Sequence, residues 1–520
     1  MTTIGFPAIP SAATRRRFLG HLGAVGGSSL VMSALSAWDL MAAEAGKRPE
    51  LSGRPRNSKV LVLGAGISGL TLGYELGRLG YDYHILEARE RVGGLSWTIR
   101  GGTTHTELNS GERQECKWDE GLWVNAGPWR IPYSHTGILG YCKELGVAME
   151  MFVNEAEGSY FYYEGEAAGS LAGKRVRMRE VKADIVGQVN ELLVKAIDQH
   201  SLDLPMTADD QERLVRFLTT QGYLDSKDRR YKAFENRGPG DPYQLTVLLK
   251  AGFGNRLRSV APREGTAAAP MFQPIGGMDQ IPKAFARAIG PNRITLGAEV
   301  QTVRQDDRAA TVIYRDTKTG KAHTLTADYV VLCLPMKIIA GLDVPLSAET
   351  MTAVKGTRQS NSAKMGLAMK RRFWEEDDQI FGGHLYSNLP IGEFSYPSTG
   401  YFSRKGVLLG LYANGPVGDL IEKPMAARVE HVLMNSSKVH PQIRQEFESA
   451  YGVWWQNVEY SRGGYASAPL ERRAQLRKFE NRLLIGSAAT APYSEPDWQE
   501  GAVAAGWEAL KAVHERAMRG

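Results

Sequence analysis

Cysteine, clustered charge and long apolar segments are all scarce in this 520-residue sequence. Its three cysteines, Cys116, Cys142 and Cys333, are too few for a disulfide framework, and none stands in the C-x-x-C spacing of a structural metal site. The net charge of +6 comes from 63 basic and 57 acidic residues spread along the chain, which argues against a nucleic-acid-binding protein. A hydrophobic content of 43% excludes overall disorder. We therefore expect a folded protein of roughly two to four domains without a bound metal.

The first 45 residues have the composition of a bacterial export signal. Arg15-Arg16-Arg17 precedes an apolar stretch from Gly20 to Ala37, and Ala43-Glu44-Ala45 resembles a cleavage site. Paired arginines indicate the twin-arginine route, which exports folded proteins. A membrane anchor or a basic disordered arm is the alternative, but the stretch is short and glycine-rich for a bilayer span. We expect export to the periplasm or the medium, with no stable membrane insertion after residues 1–45 are removed.

A glycine-rich motif follows the first clear strand pattern. Lys59–Leu63 has the length of a buried strand, Gly64-Ala65-Gly66-Ile67-Ser68-Gly69 follows it directly, and apolar spacing predicts a helix as far as Arg78. Glycines at these positions allow a tight turn, the close approach of a pyrophosphate and the packing of helix on strand. A second strand over Tyr83–Leu86 ends at Glu87, an acid suited to ribose hydroxyls. The unit predicts a dinucleotide-binding site rather than an ordinary turn.

The residues after the second strand favour a flavin dinucleotide over a nicotinamide dinucleotide. The run Ala88-Arg89-Glu90-Arg91-Val92-Gly93-Gly94 combines charged residues with a Gly-Gly pair that would contact the flavin dinucleotide's phosphates a second time. With this motif the chain resembles the flavin-dependent amine oxidase family, and most closely its L-amino acid oxidases. The other motifs that carry the resemblance are Asn125-Ala126-Gly127-Pro128-Trp129-Arg130-Ile131-Pro132, Gly276-Gly277-Met278-Asp279, Ser362-Ala363-Lys364, Phe373-Trp374 and Trp498-Gln499-Glu500-Gly501-Ala502.

The resemblance implies a fold with α/β and α+β parts. It would consist of a discontinuous Rossmann-like FAD-binding domain, a sheet-based substrate domain and a helical insertion. The predicted ranges are 56–100, 270–338 and 456–515 for the FAD-binding domain, 101–172 and 339–455 for the substrate domain, and 173–265 for the helical domain. The resemblance also implies a homodimer.

The resemblance further implies that FAD is bound non-covalently. Relatives that attach the flavin use a C-terminal cysteine, whereas no cysteine follows Cys333, and Arg462-Gly463-Gly464-Tyr465 matches that region without a thiol. One departure is Leu95, where the family commonly has an arginine, so a phosphate contact is either lost or provided by Arg89 or Arg91. The implied cofactor-binding residues are Gly64, Gly66, Ile67, Ser68, Gly69, Glu87, Ala88, Arg89, Arg91, Gly94, Leu95, Gly127, Pro128, Trp129, Arg130, Val300, Ser487, Trp498, Gly501 and Ala502.

Four residues are the expected catalytic set. By resemblance, Arg130 binds the substrate α-carboxylate through its planar guanidinium, and Tyr396 donates its hydroxyl to the same group. Lys364 matches the lysine that positions a water beside flavin N5, and Trp498 matches an aromatic wall of the substrate cavity. Taken alone, these would be a surface arginine, a core or turn tyrosine, a solvated lysine and a core tryptophan. Asp497, where the family often has glycine, is unexplained.

These roles imply the oxidative deamination of L-α-amino acids. The substrate would lose hydride from Cα to flavin N5, and the products would be a 2-oxo acid, ammonia and, with oxygen as acceptor, hydrogen peroxide. Three alternatives remain open: an amide-forming L-amino acid 2-monooxygenase similar to tryptophan 2-monooxygenases, a simple amine oxidase, and a binding protein without turnover. The tryptophans suit a large apolar or aromatic substrate, without showing which of them line the cavity: Trp129, Trp454, Trp455 and Trp498.

Overall fold

Two large β-sheets organise the chain. A computed structural model describes residues 47–53, 58–199, 207–234, 241–253, 270–414, 418–492 and 498–519. The predicted signal and Asp497 lie outside these described residues. Within them, no helix combines the length and apolar character needed to cross a membrane.

The first sheet, called the cofactor sheet below, consists of five parallel strands. In order across the sheet they are Ile294–Thr295, Asp82–Leu86, Lys59–Leu63, Tyr329–Leu332 and Leu483–Ile485. The central strands are aliphatic and buried because a parallel sheet is covered on both faces. The helix Ile67–Arg78 and the C-terminal helix Gln499–Arg519 lie together on one face. Gly506 allows this contact, since a Cβ there would lie 2.8 Å from the Ser68 carbonyl oxygen.

The second sheet, called the substrate sheet below, has seven strands. Its strands are antiparallel neighbours except for one parallel pair, Tyr160–Tyr162 with His384–Ser387. In order they are Val176–Arg177, Tyr160–Tyr162, His384–Ser387, Glu393–Ser395, Gly406–Ala413, Ala363–Met369 and Phe447–Trp454. A fully buried cluster containing Trp374 and Trp454 forms its core.

Five smaller sheets accompany the two large ones in the described residues. Met271–Pro274 was placed in the FAD-binding range by sequence, but it pairs with Ile131–Pro132 and Met149–Phe152 of the substrate range. Both partner strands lie more than a hundred residues earlier in the chain, and local sequence patterns do not indicate such distant pairings. The remaining strands form a three-stranded meander and three pairs: Ala298–Gln305, Ala310–Asp316 and Ala322–Ala327; Thr98–Arg100 with Trp123–Asn125; Thr104–Thr106 with Arg113–Glu115; and Arg358–Gln359 with Ala466–Ser467.

The described part of the stretch that sequence predicts to be helical contains the helices Met178–Asp198, Ala208–Gln221 and Leu245–Lys250. In that stretch Thr207 caps the second helix by accepting a hydrogen bond from the Asp210 backbone N–H at 3.2 Å. The described α-helices are Ile67–Arg78, Thr136–Glu144, Met178–Asp198, Ala208–Gln221, Leu245–Lys250, Gln280–Ile289, Met336–Ile339, Ala348–Lys355, Phe373–Glu376, Met425–Ser436, Ile443–Glu446, Leu470–Leu476 and Gln499–Arg519.

Candidate active site

A cavity of about 410 Å³ lies at the carboxyl ends of the cofactor-sheet strands. Gly64, Glu87, Cys333 and Ser487 follow four of these strands and line it. This edge is where open parallel sheets bind ligands, because loops there are free to diverge. The predicted cofactor residues that line this cofactor cavity are Gly64, Gly66, Ile67, Ser68, Glu87, Ala88, Arg89, Gly94, Leu95, Pro128, Val300, Ser487, Trp498 and Ala502.

The start of the Ile67–Arg78 helix is suited to a phosphate. Gly66 precedes the helix without any side-chain cap, and the first turn contains no acidic residue. The helix therefore presents N–H groups and partial positive charge to the cavity. No atom lies within 4 Å of the position that a Cβ on Gly66 would take. The geometry leaves room for an anionic diphosphate at the backbone, as the glycine motif predicts.

Glu87 is held at the edge of the same cavity. Its buried carboxylate accepts hydrogen bonds from the backbone N–H groups of Ala65 at 2.8 Å and Arg89 at 3.0 Å. Each oxygen keeps further acceptor capacity for a hydroxyl donor. A ribose fits this position. The cavity between Glu87 and the glycine loop therefore suits a dinucleotide.

Gly69 does not line the cavity and instead packs the helix onto the first strand. A Cβ at this position would lie 2.0 Å from the Gly64 carbonyl oxygen. We expect Gly69→Ala to displace the phosphate-binding loop, so that the purified variant lacks the visible absorbance of a bound flavin. Gly140→Ala is the matched control, because nothing lies within 4 Å of the new Cβ. Full flavin content in Gly69→Ala would contradict this role.

Arg91 and Gly501, also predicted to contact the cofactor, do not line the cofactor cavity either. The Arg91 guanidinium lies 4.6 Å from the Trp97 ring centroid and donates to the Gly94 carbonyl at 2.9 Å. Arg91 thus stabilises the Gly-Gly turn by this hydrogen bond and does not line the cofactor cavity, which corrects the predicted direct contact with the cofactor. Gly501 is buried in the C-terminal helix next to Ala502, which does line the cavity, because successive helical residues point in different directions.

A second cavity of about 200 Å³ adjoins the first. Gly127, Trp129 and Arg130, which were predicted to contact the cofactor, line this substrate cavity instead. Residues that line both cavities are Leu95, Pro128, Gly464, Tyr465, Trp498 and Gln499. Aromatic walls and polar groups share the lining of this cavity, a combination suited to a small molecule that has both apolar and charged parts.

Arg130 brings a positive charge into the substrate cavity. Its side chain is buried, with only 9% of the residue exposed. Its guanidinium carbon lies 4.8 Å from the Trp129 ring centroid and 5.9 Å from that of Trp498. A buried guanidinium between aromatic faces can bind a carboxylate with a planar pair of hydrogen bonds.

Lys364 lies in the same cavity on the strand Ala363–Met369 of the substrate sheet. Its Nζ donates to the Gly127 carbonyl at 2.5 Å and lies 4.6 Å from the Trp129 ring centroid. Burial holds the pKa of Lys364 well below its ordinary value and the charge of Arg130 lowers it further, while Glu393 acts in the opposite sense. The amine is therefore biased towards its neutral form, which can accept as well as donate a proton.

Tyr396 is not in the substrate cavity. Its hydroxyl lies 2.8 Å from His440 Nε2, and His440 Nδ1 lies 3.0 Å from an Asp378 carboxylate oxygen. Burial lowers the pKa of His440, so a neutral ring donates to Asp378 and accepts from Tyr396. The predicted carboxylate contact is thus corrected: the hydroxyl of Tyr396 is already engaged in the core.

Tyr412 is the tyrosine that sequence reasoning missed. It lines the substrate cavity, and it faces Lys364 directly across neighbouring antiparallel strands. The Lys364 Nζ lies 4.4 Å from its ring centroid. No local motif marks Tyr412, because its position depends on strand register. Tyr465 was quoted only for the missing thiol, yet it lines both cavities, and His135 packs edge-on to Trp498 with centroids 5.1 Å apart.

Known proteins are similar to this chain in sequence and in fold. An L-amino-acid oxidase of Crotalus adamanteus is 28% identical over 366 residues, which is 68% of this chain and 65% of that relative. A putative L-amino-acid oxidase of Bacillus subtilis is 25% identical over 88% of this chain and 95% of its own length. The chain thus spans slightly under two thirds of the length of the Crotalus relative.

Solved structures share the architecture at lower identity. A cyclohexylamine oxidase from Brevibacterium oxydans gives a TM-score of 0.60 at 17% identity, covering 89% of this chain and 100% of that one. A putrescine oxidase bound to putrescine gives 0.58 at 20% identity, covering 88% and 98%. The family model described as flavin containing amine oxidoreductase matches residues 67–514. This chain therefore belongs to the flavin-containing amine oxidoreductase family, and its cofactor is FAD.

Proposed function

We propose that this enzyme oxidatively deaminates L-α-amino acids. The observation that carries the proposal is the buried guanidinium of Arg130 in the cavity that adjoins the cofactor cavity. A simple amine offers no anion to this charge, and a cationic amine would be repelled by it. An amino acid supplies a carboxylate that this guanidinium can bind with a planar pair of hydrogen bonds. The L-amino-acid oxidases among its relatives support this substrate class.

Arg130 and Tyr412 would bind the carboxylate together. Burial raises the pKa of Tyr412 to about 12, so its hydroxyl stays protonated near neutral pH and remains a hydrogen-bond donor. Two donors on one carboxylate fix the direction of the Cα–H bond, which lowers the entropic part of the barrier. The aromatic walls exclude water from the reacting centre.

Lys364 would handle a proton rather than bind substrate. The residues of the cofactor cavity, among them Gly66 and Glu87, would hold FAD, which would supply the hydride acceptor for the Cα–H bond. A neutral Lys364 can hold a water in the substrate cavity and exchange a proton with it, while its bond to the Gly127 carbonyl fixes the direction of Nζ. Hydrolysis of the imino acid product then releases ammonia and the 2-oxo acid.

A peroxidase-coupled assay with L-amino acids, D-amino acids and the corresponding amines tests the proposal. Peroxide and ammonia from L-amino acids alone are expected. Peroxide from amines but not amino acids would favour a simple amine oxidase and overturn the role of Arg130. An amide with carbon dioxide would indicate a 2-monooxygenase. Bound flavin that no substrate bleaches anaerobically would indicate a binding protein.

The two tyrosines give a matched pair of variants. We expect Tyr412→Phe to raise KM for the best L-amino acid about tenfold, because it removes one hydrogen bond to a charged group. Tyr396→Phe should leave KM within about twofold and lower stability instead, since its hydroxyl bonds to buried His440. Steady-state kinetics and thermal unfolding of both variants check this. A raised KM in Tyr396→Phe with an unchanged KM in Tyr412→Phe would instead show that Tyr396 binds the substrate.

Acid should release the flavin. Cys333 is the described cysteine that lines the cofactor cavity, next to the glycine loop, with its Sγ 3.9 Å from Ser68 Oγ. Burial raises the pKa of this thiol to about 12, which keeps it un-ionised and unreactive. We expect all of the FAD in the supernatant after acid precipitation of the holoenzyme. Colour retained in the washed precipitate would show a covalent bond.

A further inference from the structure

The segment from Glu459 to Tyr465 follows the length of the cofactor cavity. At one end, Arg89 Nη2 donates to the Glu459 carbonyl at 2.6 Å, beside the ribose-binding Glu87. At the other end, Tyr465 lines both the cofactor and the substrate cavity. Arg462 lies between these ends and lines the cofactor cavity. A dinucleotide that extends from Glu87 towards the substrate cavity would pass along this segment, with Arg462 between the two ends.

The described residues that line the cofactor cavity include three cationic side chains. Arg89 is already engaged, since its Nη2 also donates to Ser461 Oγ at 2.7 Å and its Nη1 lies 3.6 Å from the Glu87 carboxylate. Lys337 is exposed on a short helix beside the same cavity. Arg462 is exposed, and no hydrogen bond or ion pair of its guanidinium is found among the described residues. Its charge is thus available to a ligand.

The backbone holds Arg462 in an unusual conformation. Arg462 has a φ of 51°, in the left-handed region that residues with a side chain seldom adopt. The Ser461 carbonyl beside it accepts a hydrogen bond from Gln359 Nε2 at 2.9 Å. Together with the contacts of Arg89, this bond fixes the segment at the cavity. A backbone conformation that is disfavoured locally persists when surrounding contacts impose it, and such positions cluster at ligand sites.

Two positions near the Gly-Gly motif supply no free cation to the cofactor cavity. Leu95 lines the cavity where the family that the chain resembles commonly has an arginine, and Arg91 is turned towards Trp97. We propose that Arg462 binds the diphosphate of FAD and replaces the cation missing at Leu95. The helix start and Arg462 would then contact the same anion.

Titration of flavin-free protein with FAD, followed by quenching of flavin fluorescence, tests the proposal without turnover. Arg462→Ala is expected to raise Kd about 10- to 100-fold, because it removes a charge-assisted hydrogen bond. Wild-type Kd should rise with salt, and the variant should lose most of this dependence. Arg404→Ala, an exposed arginine that lines neither cavity, is the matched control and should bind FAD as wild type does.

A second variant separates phosphate binding from damage to the fold. Arg462→Ala/Leu95→Arg should recover at least tenfold of the lost affinity, since it returns a cation to the same cavity. Thermal unfolding of flavin-free Arg462→Ala should match wild type, as Arg462 is exposed. The proposal is overturned if Arg462→Ala binds FAD normally. It is also overturned if Lys337→Ala loses as much affinity for FAD, since any positive charge at the cofactor cavity would then have the same effect.

Discussion

Replacement of Arg130 by methionine should lower kcat/KM for the best L-amino acid about 10²- to 10³-fold, since it leaves a carboxylate unpaired in a buried site. Turnover of the corresponding decarboxylated amine should stay the same or rise, because the repulsive charge beside its amine is removed. Methionine keeps an unbranched side chain between Trp129 and Trp498 while it removes the charge. Steady-state assays with the amino acid and its amine measure both effects.

The direction of the Arg130 effect has an internal check. The charge of Arg130 helps to lower the pKa of Lys364, so its removal should let that pKa rise towards its ordinary value. Any step that needs neutral Lys364 should then shift to higher pH in Arg130→Met. Arg404→Met serves as the control. An equal loss of activity with amine and amino acid would mean that Arg130 maintains the cavity rather than recognising a carboxylate.

Replacement of Lys364 by methionine should reduce kcat about 10²-fold and change KM much less, because the amine moves a proton without binding the substrate. The pKa of Lys364 is lowered by burial and by Arg130, so the wild-type amine loses its proton at a lower pH than an ordinary lysine does. Activity that depends on the neutral amine therefore rises as pH increases through this pKa. That limb of the kcat profile should be missing in Lys364→Met, whereas a limb due to the substrate amine should remain.

Lys364→Arg should not rescue the activity. A guanidinium stays protonated at all accessible pH values and would be repelled by Arg130. Anaerobic mixing with substrate and aerobic mixing of the reduced enzyme show whether the lost step precedes or follows flavin reduction. Lys321→Met, at an exposed residue just before the meander strand Ala322–Ala327, is a suitable control. Normal kcat in Lys364→Met would remove the lysine from the mechanism.

The local part of the cofactor site was predictable from sequence. The strand at Lys59–Leu63 and the glycine motif lie within thirty residues of Glu87, so short-range patterns contain both halves of the dinucleotide unit. The structure places Gly64, Gly66 and Glu87 around one cavity as that pattern requires. Arg130 could also be picked out from sequence, because the motif around it is continuous. The structure places it in the substrate cavity.

The tyrosines show where local reasoning stops. Tyr396 stands before a proline in a context that resembles a known motif, but the fold directs its hydroxyl to His440. Tyr412 has no local signal, and it faces Lys364 only because two distant strands pair in one register. A shift of one residue in that pairing would turn Tyr412 to the other face of the sheet.

The sequence by itself determined the family, the flavin cofactor and the dinucleotide loop, because continuous motifs carry each of these. Tertiary structure alone decided which charges are free and which are engaged. Arg91 supports a turn, Arg89 is engaged by Glu87 and Ser461, and Arg462 is left facing the cavity. The physical reason is that a side chain's charge is available only when its hydrogen-bond partners are known, and those partners come from strands and loops far apart in the chain.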